Sequence, residues 1–260
     1  MKSILKIILV GIATTICRII GQFLIPAGEQ SVLEPSAFAN DGTMPLMFTI
    51  YGIFAYSLIA SMYLFVRNQL TGKRVWQGLK YGISCCAIWV VYLLEPLPHV
   101  APLDRITYPI ADGVALLVMG VMVGFLFGKT KSDIVKKEKY NDIIPLIFIA
   151  SCFVIGRLVQ YFMFDIYSSF DSKRLETIVW CILTGFVVAC VMIWLNRYVK
   201  GNSRVAKALI LGGLLFGLNL TLFNFFMPLV FKADIPDLIL RTSIDFSTVM
   251  LGCLSLKHNQ

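Results

Sequence analysis

The sequence predicts an all-α polytopic membrane protein with eight transmembrane helices. They form two parallel four-helix repeats, with both termini cytoplasmic. Three observations lead there. First, 58% of the 260 residues are hydrophobic and only 15% are charged, whereas soluble domains carry about 45–50% apolar and about 25% charged residues. Second, the apolar residues come in eight long blocks, and a block of about 18 or more with few charges spans a bilayer as a helix. Third, landmark residues of the first half recur in order in the second. Together these exclude an ordinary soluble enzyme, a disordered chain and a disulfide-stapled secreted module.

The predicted spans are Ile4–Ile25, Met47–Val66, Gly78–Leu94, Ile106–Phe127, Ile143–Phe164, Thr177–Leu195, Ala206–Val230 and Ile239–Leu256. Backbone groups left unpaired in lipid cost several kcal/mol each, so these blocks must coil into helices. A β-barrel would need alternating apolar and polar residues, and these blocks are apolar all round. Lys2 and Lys6 followed by an apolar run look like a signal peptide, and Ala37-Phe38-Ala39 resembles a cleavage site. That site lies too far past the apolar run, so the segment is read as a retained first span.

Basic residues set the orientation. They collect in the N-terminus (Lys2, Lys6) and in the 67–80, 129–139 and 197–207 loops, whereas the opposite side carries only Arg105, Lys173, Arg174, Lys232 and Arg241 and holds Glu29, Glu34, Asp41, Asp104, Asp171, Asp234 and Asp237. The expected place is the cytoplasmic membrane. The net charge of +8 is therefore topogenic, and no nucleic-acid partner is expected. Membrane lipids are the expected neighbours, since the 129–139 loop suits contact with anionic headgroups. The long 26–43 loop is irregular in composition and placed to cap the outer face.

Duplication divides the chain into a first repeat (1–130), a basic cytoplasmic linker (131–141) and a second repeat (142–260). Arg67, Arg74, Val75, Leu79 and Gly82 recur without gaps as Arg197, Arg204, Val205, Leu209 and Gly212. Pro96-Leu97 recurs as Pro228-Leu229, Asp112 as Asp245, and Arg18 with Gln22 as Arg157 with Gln160. An even number of spans per half makes the repeats parallel, with their axis along the membrane normal.

Ionisable side chains inside a span are costly and mark function by default. Arg18, Asp112, Arg157 and Asp245 all fall about 9–10 Å below the outer boundary at about 1.5 Å per residue. Opposite charges at one depth should pair, because an unpaired buried charge costs far more than a paired one. Gln22, Glu95, Gln160, Asn219 and Asn224 fall in the same outer half, with Tyr51, Tyr92, Tyr108, Tyr161 and Thr221. This layer implies a polar pocket open to the outer face. The candidate substrate-binding residues are Arg18, Gln22, Glu95, Asp112, Arg157, Gln160, Asn219, Asn224 and Asp245. Glu95 with His99 is also expected as a surface loop pair. Trp89, Trp180 and Trp194 need no role beyond the interface. Gly120, Gly124 and Gly128 form a small-residue stripe for close helix packing.

Neither metal nor cofactor is expected, since only two histidines occur and the seven cysteines form no CxxC pair. GxSxG, HExxH and phosphate-cradling motifs are missing. The expected function is a permease- or flippase-like carrier for a small polar or anionic substrate or headgroup. The alternatives are a non-catalytic membrane subunit, sensor or assembly factor with a protein partner, and an intramembrane enzyme acting on outer-leaflet lipid-linked substrates.

Overall fold

Long runs of Leu, Ile, Val and Phe coil because only a helix satisfies the backbone within one segment. The computed structural model describes residues 2–26, 28–130, 142–201 and 203–256. Its helices are α1 (Lys2–Leu24), α2 (Ala37–Asn40), α3 (Met44–Val66), α4 (Arg74–Leu93), α5 (Asp104–Phe127), α6 (Ile143–Met163) and α7 (Arg174–Asn196). There follow α8 (Arg204–Ala208), a π-helical segment (Leu209–Leu218), α9 (Asn219–Asn224), α10 (Met227–Val230) and α11 (Ile235–Cys253). No strand forms among the described residues; a single bridge joins Pro35 to Phe231.

The chain thus has the all-helical architecture of a multi-pass membrane protein. Among the described residues six helical stretches are long and apolar enough to cross a bilayer: α1, α3, α5, α6, α7 and the run 204–230. α4 and α11 are long enough but more polar. α4 carries Arg74, Gln77, Lys80 and Ser84, and α11 carries Asp237, Arg241 and Asp245. Both start four residues earlier than their apolar blocks suggest. The expected basic linker 131–141 lies outside the described residues, as does the C-terminal end from 257.

Helix packing follows one plan in each half. α1 lies against both α3 and α5, and α5 packs closely on α4. α6 lies against both α7 and α11, and α11 packs on the π-helical segment. The halves meet chiefly where α4 crosses α7. Small residues permit the closest approach: Gly78 and Gly82 on α4 face Gly120 and Gly124 on α5, backbone to backbone. Outward faces are apolar, with Leu5, Ile16 and Phe23 on α1, Phe125 on α5, Ile147 and Phe162 on α6, and Ile182 on α7 all exposed. So much exposed apolar surface belongs in lipid rather than water.

At the end away from the basic loops, segments of the two halves interlock. Ser36 Oγ donates to the Leu229 carbonyl (2.7 Å) and Ser36 N to the Val230 carbonyl (3.1 Å). Lys232 pairs with Glu34 at 2.8 Å. Residues 34–36 therefore lie on α10 and on the two residues that follow it. In the same way the 95–103 segment meets the 164–173 segment, where His99 Nδ1 lies 3.0 Å from the Tyr167 hydroxyl. At the other end Gln77 donates to the carbonyl of Lys129 (2.6 Å), and Arg197 pairs with Asp142 at 2.7 Å.

Candidate functional site: two buried arginine–carboxylate clusters

α11 presents Asp237, Arg241 and Asp245 at four-residue spacing, so one face of the helix carries all three. α6 presents Arg157 and Gln160 one turn apart. α4 stops at Leu93, and Glu95 follows before Pro96, a residue a helix interior does not accept. Packing brings these three elements to one place. Arg157 Nη2 lies 2.6 Å from Asp245 Oδ2, and Arg157 Nη1 lies 3.1 Å from Glu95 Oε1. Arg241 Nη2 lies 3.5 Å from the same Glu95 oxygen and donates to the Tyr167 carbonyl at 2.8 Å. Gln160 Nε2 donates to Asp245 Oδ1 (2.7 Å) and the Tyr92 hydroxyl to Asp245 Oδ2 (3.1 Å).

Arg157 and Arg241 stand against Glu95 and Asp245 inside an apolar shell, and Asp237 Oδ2 lies a further 3.9 Å from Arg241 Nε at its edge. Arg157 is 1% exposed and Asp245 0%. The Trp180 ring centroid lies 4.7 Å from the Arg157 guanidinium, with Tyr92 at 5.5 Å and Phe153 at 5.7 Å. Aromatic faces stabilise a desolvated cation through their quadrupole. Any oxyanion that reached Arg157 would have to displace Glu95 or Asp245.

The second cluster is simpler. Arg18 on α1 bonds through Nε to Asp112 on α5 and through Nη1 to Gln22 Oε1 (2.8 Å). The Tyr108 and Phe48 rings lie 5.9 and 6.0 Å from its guanidinium. Gln22, Phe48, Tyr51 and Tyr108 are only half-buried around it, so this cluster lies nearer the protein surface than the first.

Of the residues singled out in the sequence, Arg157, Gln160, Glu95 and Asp245 therefore share one cluster, and Arg18, Gln22 and Asp112 share another. Asn219 and Asn224 belong to neither set of ion pairs. Asn219 Oδ1 accepts from Trp89 Nε1, and Asn224 Nδ2 donates to Thr242 Oγ1 at 2.7 Å. The aromatic series Tyr56, Trp89, Phe223 and Tyr92 lies between the clusters, with neighbouring rings 5.2–6.0 Å apart.

Three expectations need correcting. Glu95 is not a surface loop residue: it is 5% exposed, and its ion-pair partners are Arg157 and Arg241. Arg241, read as an outer flanking charge, is buried in the cluster. Its signal was present, since it lies within the eighth apolar block, four residues from Asp245 on the same helical face. Trp89 and Trp180 are not mere interfacial residues. One bonds Asn219, and the other covers Arg157 while donating to the Val91 carbonyl at 2.7 Å.

His99 sits above the Glu95 cluster, stacked on Tyr167 at 5.7 Å and edge-on to Phe231 at 5.3 Å. Burial, reinforced by Arg241, pushes its pKa from 6.5 down to about 4, while Glu95 and Asp104 pull the other way. Between those two pH values the unfolded chain binds a proton that the folded chain does not. The contribution of His99 to stability is thus complete above pH 6.5 and is lost as pH falls towards about 4. Replacing it, His99→Gln, should flatten that part of the stability profile. Thermal unfolding of detergent-solubilised protein between pH 7 and pH 4.5 measures this, and an unchanged slope would contradict the assignment.

Among the described residues no group of three or more His, Cys, Asp or Glu side chains is arranged to hold a metal ion. Comparison with family models, curated proteins and solved structures finds no match to any of them.

Proposed function

We propose that the chain crosses the cytoplasmic membrane eight times as two parallel four-helix repeats with cytoplasmic termini. We further propose that it is a permease- or flippase-like carrier for a small polar or anionic substrate, which it binds through its intramembrane arginines. In this reading α4 and α11 also span, their polar faces turned inward to the clusters. The basic loops mark the cytoplasmic side.

Several contacts support the duplication. Each half repeats one order of helix neighbours. Asp104 Oδ1 accepts from Gly28 N (2.7 Å), and Asp237 Oδ1 accepts from Tyr167 N (3.1 Å). The spacing that relates Arg18 to Arg157 relates Gly28 to Tyr167, and the spacing that relates Asp112 to Asp245 relates Asp104 to Asp237. Trp89 and Asn219 are equivalent to each other in the gapless register, and they touch. A residue meeting its own counterpart is the mark of a two-fold, isologous junction.

The observation that carries the functional reading is Arg157 held between Glu95 and Asp245. Its ligands come from both halves, so relative motion of the halves must change the coordination of the guanidinium. A planar guanidinium suits carboxylate or phosphate bidentately, and a substrate anion would compete with the internal carboxylates. Counterflow in proteoliposomes against a panel of small carboxylates, phosphate esters and zwitterions tests this. Saturable exchange that falls at least about tenfold in Arg157→Lys is expected, because lysine loses the bidentate geometry. Absence of exchange across the panel would overturn it.

A second reading has its own observation: each of Arg18, Arg157 and Arg241 already has a carboxylate partner. Such pairs suit a static membrane subunit or assembly factor. A stoichiometric protein copurifying in mild detergent, together with no flux, would favour it.

A further inference from the structure

The two clusters are unequal in a way that identifies a guest. In the repeat register Arg157 corresponds to Arg18 and Asp245 to Asp112. Pro96-Leu97 corresponds to Pro228-Leu229, so Glu95 corresponds to Met227. The spacing that relates Asp112 to Asp245 relates Tyr108 to Arg241. The Arg157 cluster is therefore completed by one further anion, Glu95 from the first half, and one further cation, Arg241 from the second. At the corresponding positions of the Arg18 cluster stand a thioether, Met227 from the second half, and a phenol, Tyr108 from the first.

The Arg18–Asp112 cluster also keeps bonding capacity open to a guest. Arg18 bonds through Nε and Nη1 and Asp112 through Oδ1. Among the described residues neither Arg18 Nη2 nor Asp112 Oδ2 is a fully buried orphan, whereas Arg157 Nε, Arg241 Nε and Gln160 Oε1 in the other cluster are sealed away without a hydrogen-bond partner. Around Arg18 and Asp112 stand Phe48 and Tyr108, with Phe226 against Phe48 at 5.0 Å and against Tyr51 at 4.7 Å. Aromatic faces of this kind attract an ammonium group. A lone anion added beside Arg18 and Asp112 would leave the cluster with an uncompensated negative charge, which burial penalises heavily. A guest carrying both signs would not.

Building on the carrier reading, we propose that the Arg18–Asp112 cluster binds a zwitterion. Its phosphate or carboxylate sits on Arg18, in the role Glu95 plays for Arg157. Its ammonium group sits between Asp112 and the aromatic rim, in the role of Arg241. The Glu95–Arg157–Asp245–Arg241 set is the same site closed by the protein's own side chains. The guest is a free ammonium–phosphate or ammonium–carboxylate solute, or a lipid headgroup of that chemistry.

The test uses the full-length chain in a neutral detergent, with thermal unfolding as the readout. The probes are soluble glycerophosphoethanolamine, inorganic phosphate, ethylammonium, and short-chain phosphatidylethanolamine and phosphatidylglycerol. A zwitterionic probe at about a hundred times its Kd should raise the melting temperature by about 5 °C or more. Phosphate, ethylammonium and phosphatidylglycerol should do much less. A response to phosphatidylethanolamine alone marks a headgroup site; a response to glycerophosphoethanolamine as well marks a solute site.

Two double variants should fold and lose the response. R18Q/D112N removes both charges together and strands neither. M227E/Y108R writes the Glu95 and Arg241 charges of the Arg157 cluster into the Arg18 cluster. No zwitterion response in the parent chain would overturn the proposal. So would phosphate alone matching the zwitterion, or a response that persists in a folded double variant. Binding without flux in proteoliposomes would defeat the carrier reading and leave this site standing. Flux of other solutes without a zwitterion shift would do the reverse.

Discussion

Replacing Arg157 by Leu is expected to destabilise the folded chain by about 3–5 kcal/mol, the usual cost of breaking one side of a buried ion pair. The substitution strands Asp245, which is fully buried, with only Gln160 and Tyr92 as donors. It also leaves Glu95 with Arg241 alone. The double variant Arg157→Leu/Asp245→Leu removes one charge of each sign and keeps the Glu95–Arg241 pair, so it should recover most of the loss. Unfolding of the parent, both single variants and the double variant in detergent gives the coupling energy directly. Additive single effects would show that the two side chains are not coupled as described.

The second large effect is expected at the α4–α5 contact. A Cβ on Gly82 would stand 2.8 Å from Gly120 Cα and 2.9 Å from the Leu116 carbonyl oxygen. A Cβ on Gly120 would stand 2.8 Å from both the Gly78 carbonyl oxygen and Gly82 Cα. The obstacles are backbone atoms, which no rotamer change can move aside. Gly82→Ala and Gly120→Ala should each cost about 3 kcal/mol, the upper end of overpacking penalties, and Gly82→Leu should abolish the folded yield. Gly213→Ala serves as the control, because its nearest neighbour, Met250 Sδ, would lie at an ordinary 3.6 Å. Equal tolerance at all three positions, read by unfolding midpoint, would show that α4 and α5 are not so close.

That the intramembrane arginines would pair with Asp112 and Asp245 was legible because two simple rules point the same way: charges in lipid need partners, and equal depth puts them within reach. Equal depth does not say which arginine meets which aspartate, and the helix packing decides it. The Gly120–Gly124 stripe was legible too, although the sequence does not reveal that its counterpart is Gly78 and Gly82. Glu95 was misread because Pro96 ends α4 there, and the end of a helix looks like surface. Only the arrival of α6 and α11 from the other half of the chain buries it. Arg241 was misplaced although its span included it: two residues from the drawn boundary it was read as a flanking charge, and the helix in fact begins at Ile235, which carries Arg241 about a turn and a half inward. The π-helical geometry of Leu209–Leu218 left no signal, since the residues there suit an α-helix equally well. Contacts such as Ser36 with Leu229 join residues far apart in the chain, and no local pattern encodes them.

If the proposed carrier reading holds, the interlocked segments at one end bear on turnover. Rocking one half against the other would first have to unfasten Ser36 from Leu229 and Val230, Pro35 from Phe231, and His99 from Tyr167. These bonds sit on both flanks of the junction, so they behave as paired latches that must release together. A carrier built this way would spend most of its cycle closed at that face, and unlatching, rather than diffusion of its cargo, would set the pace.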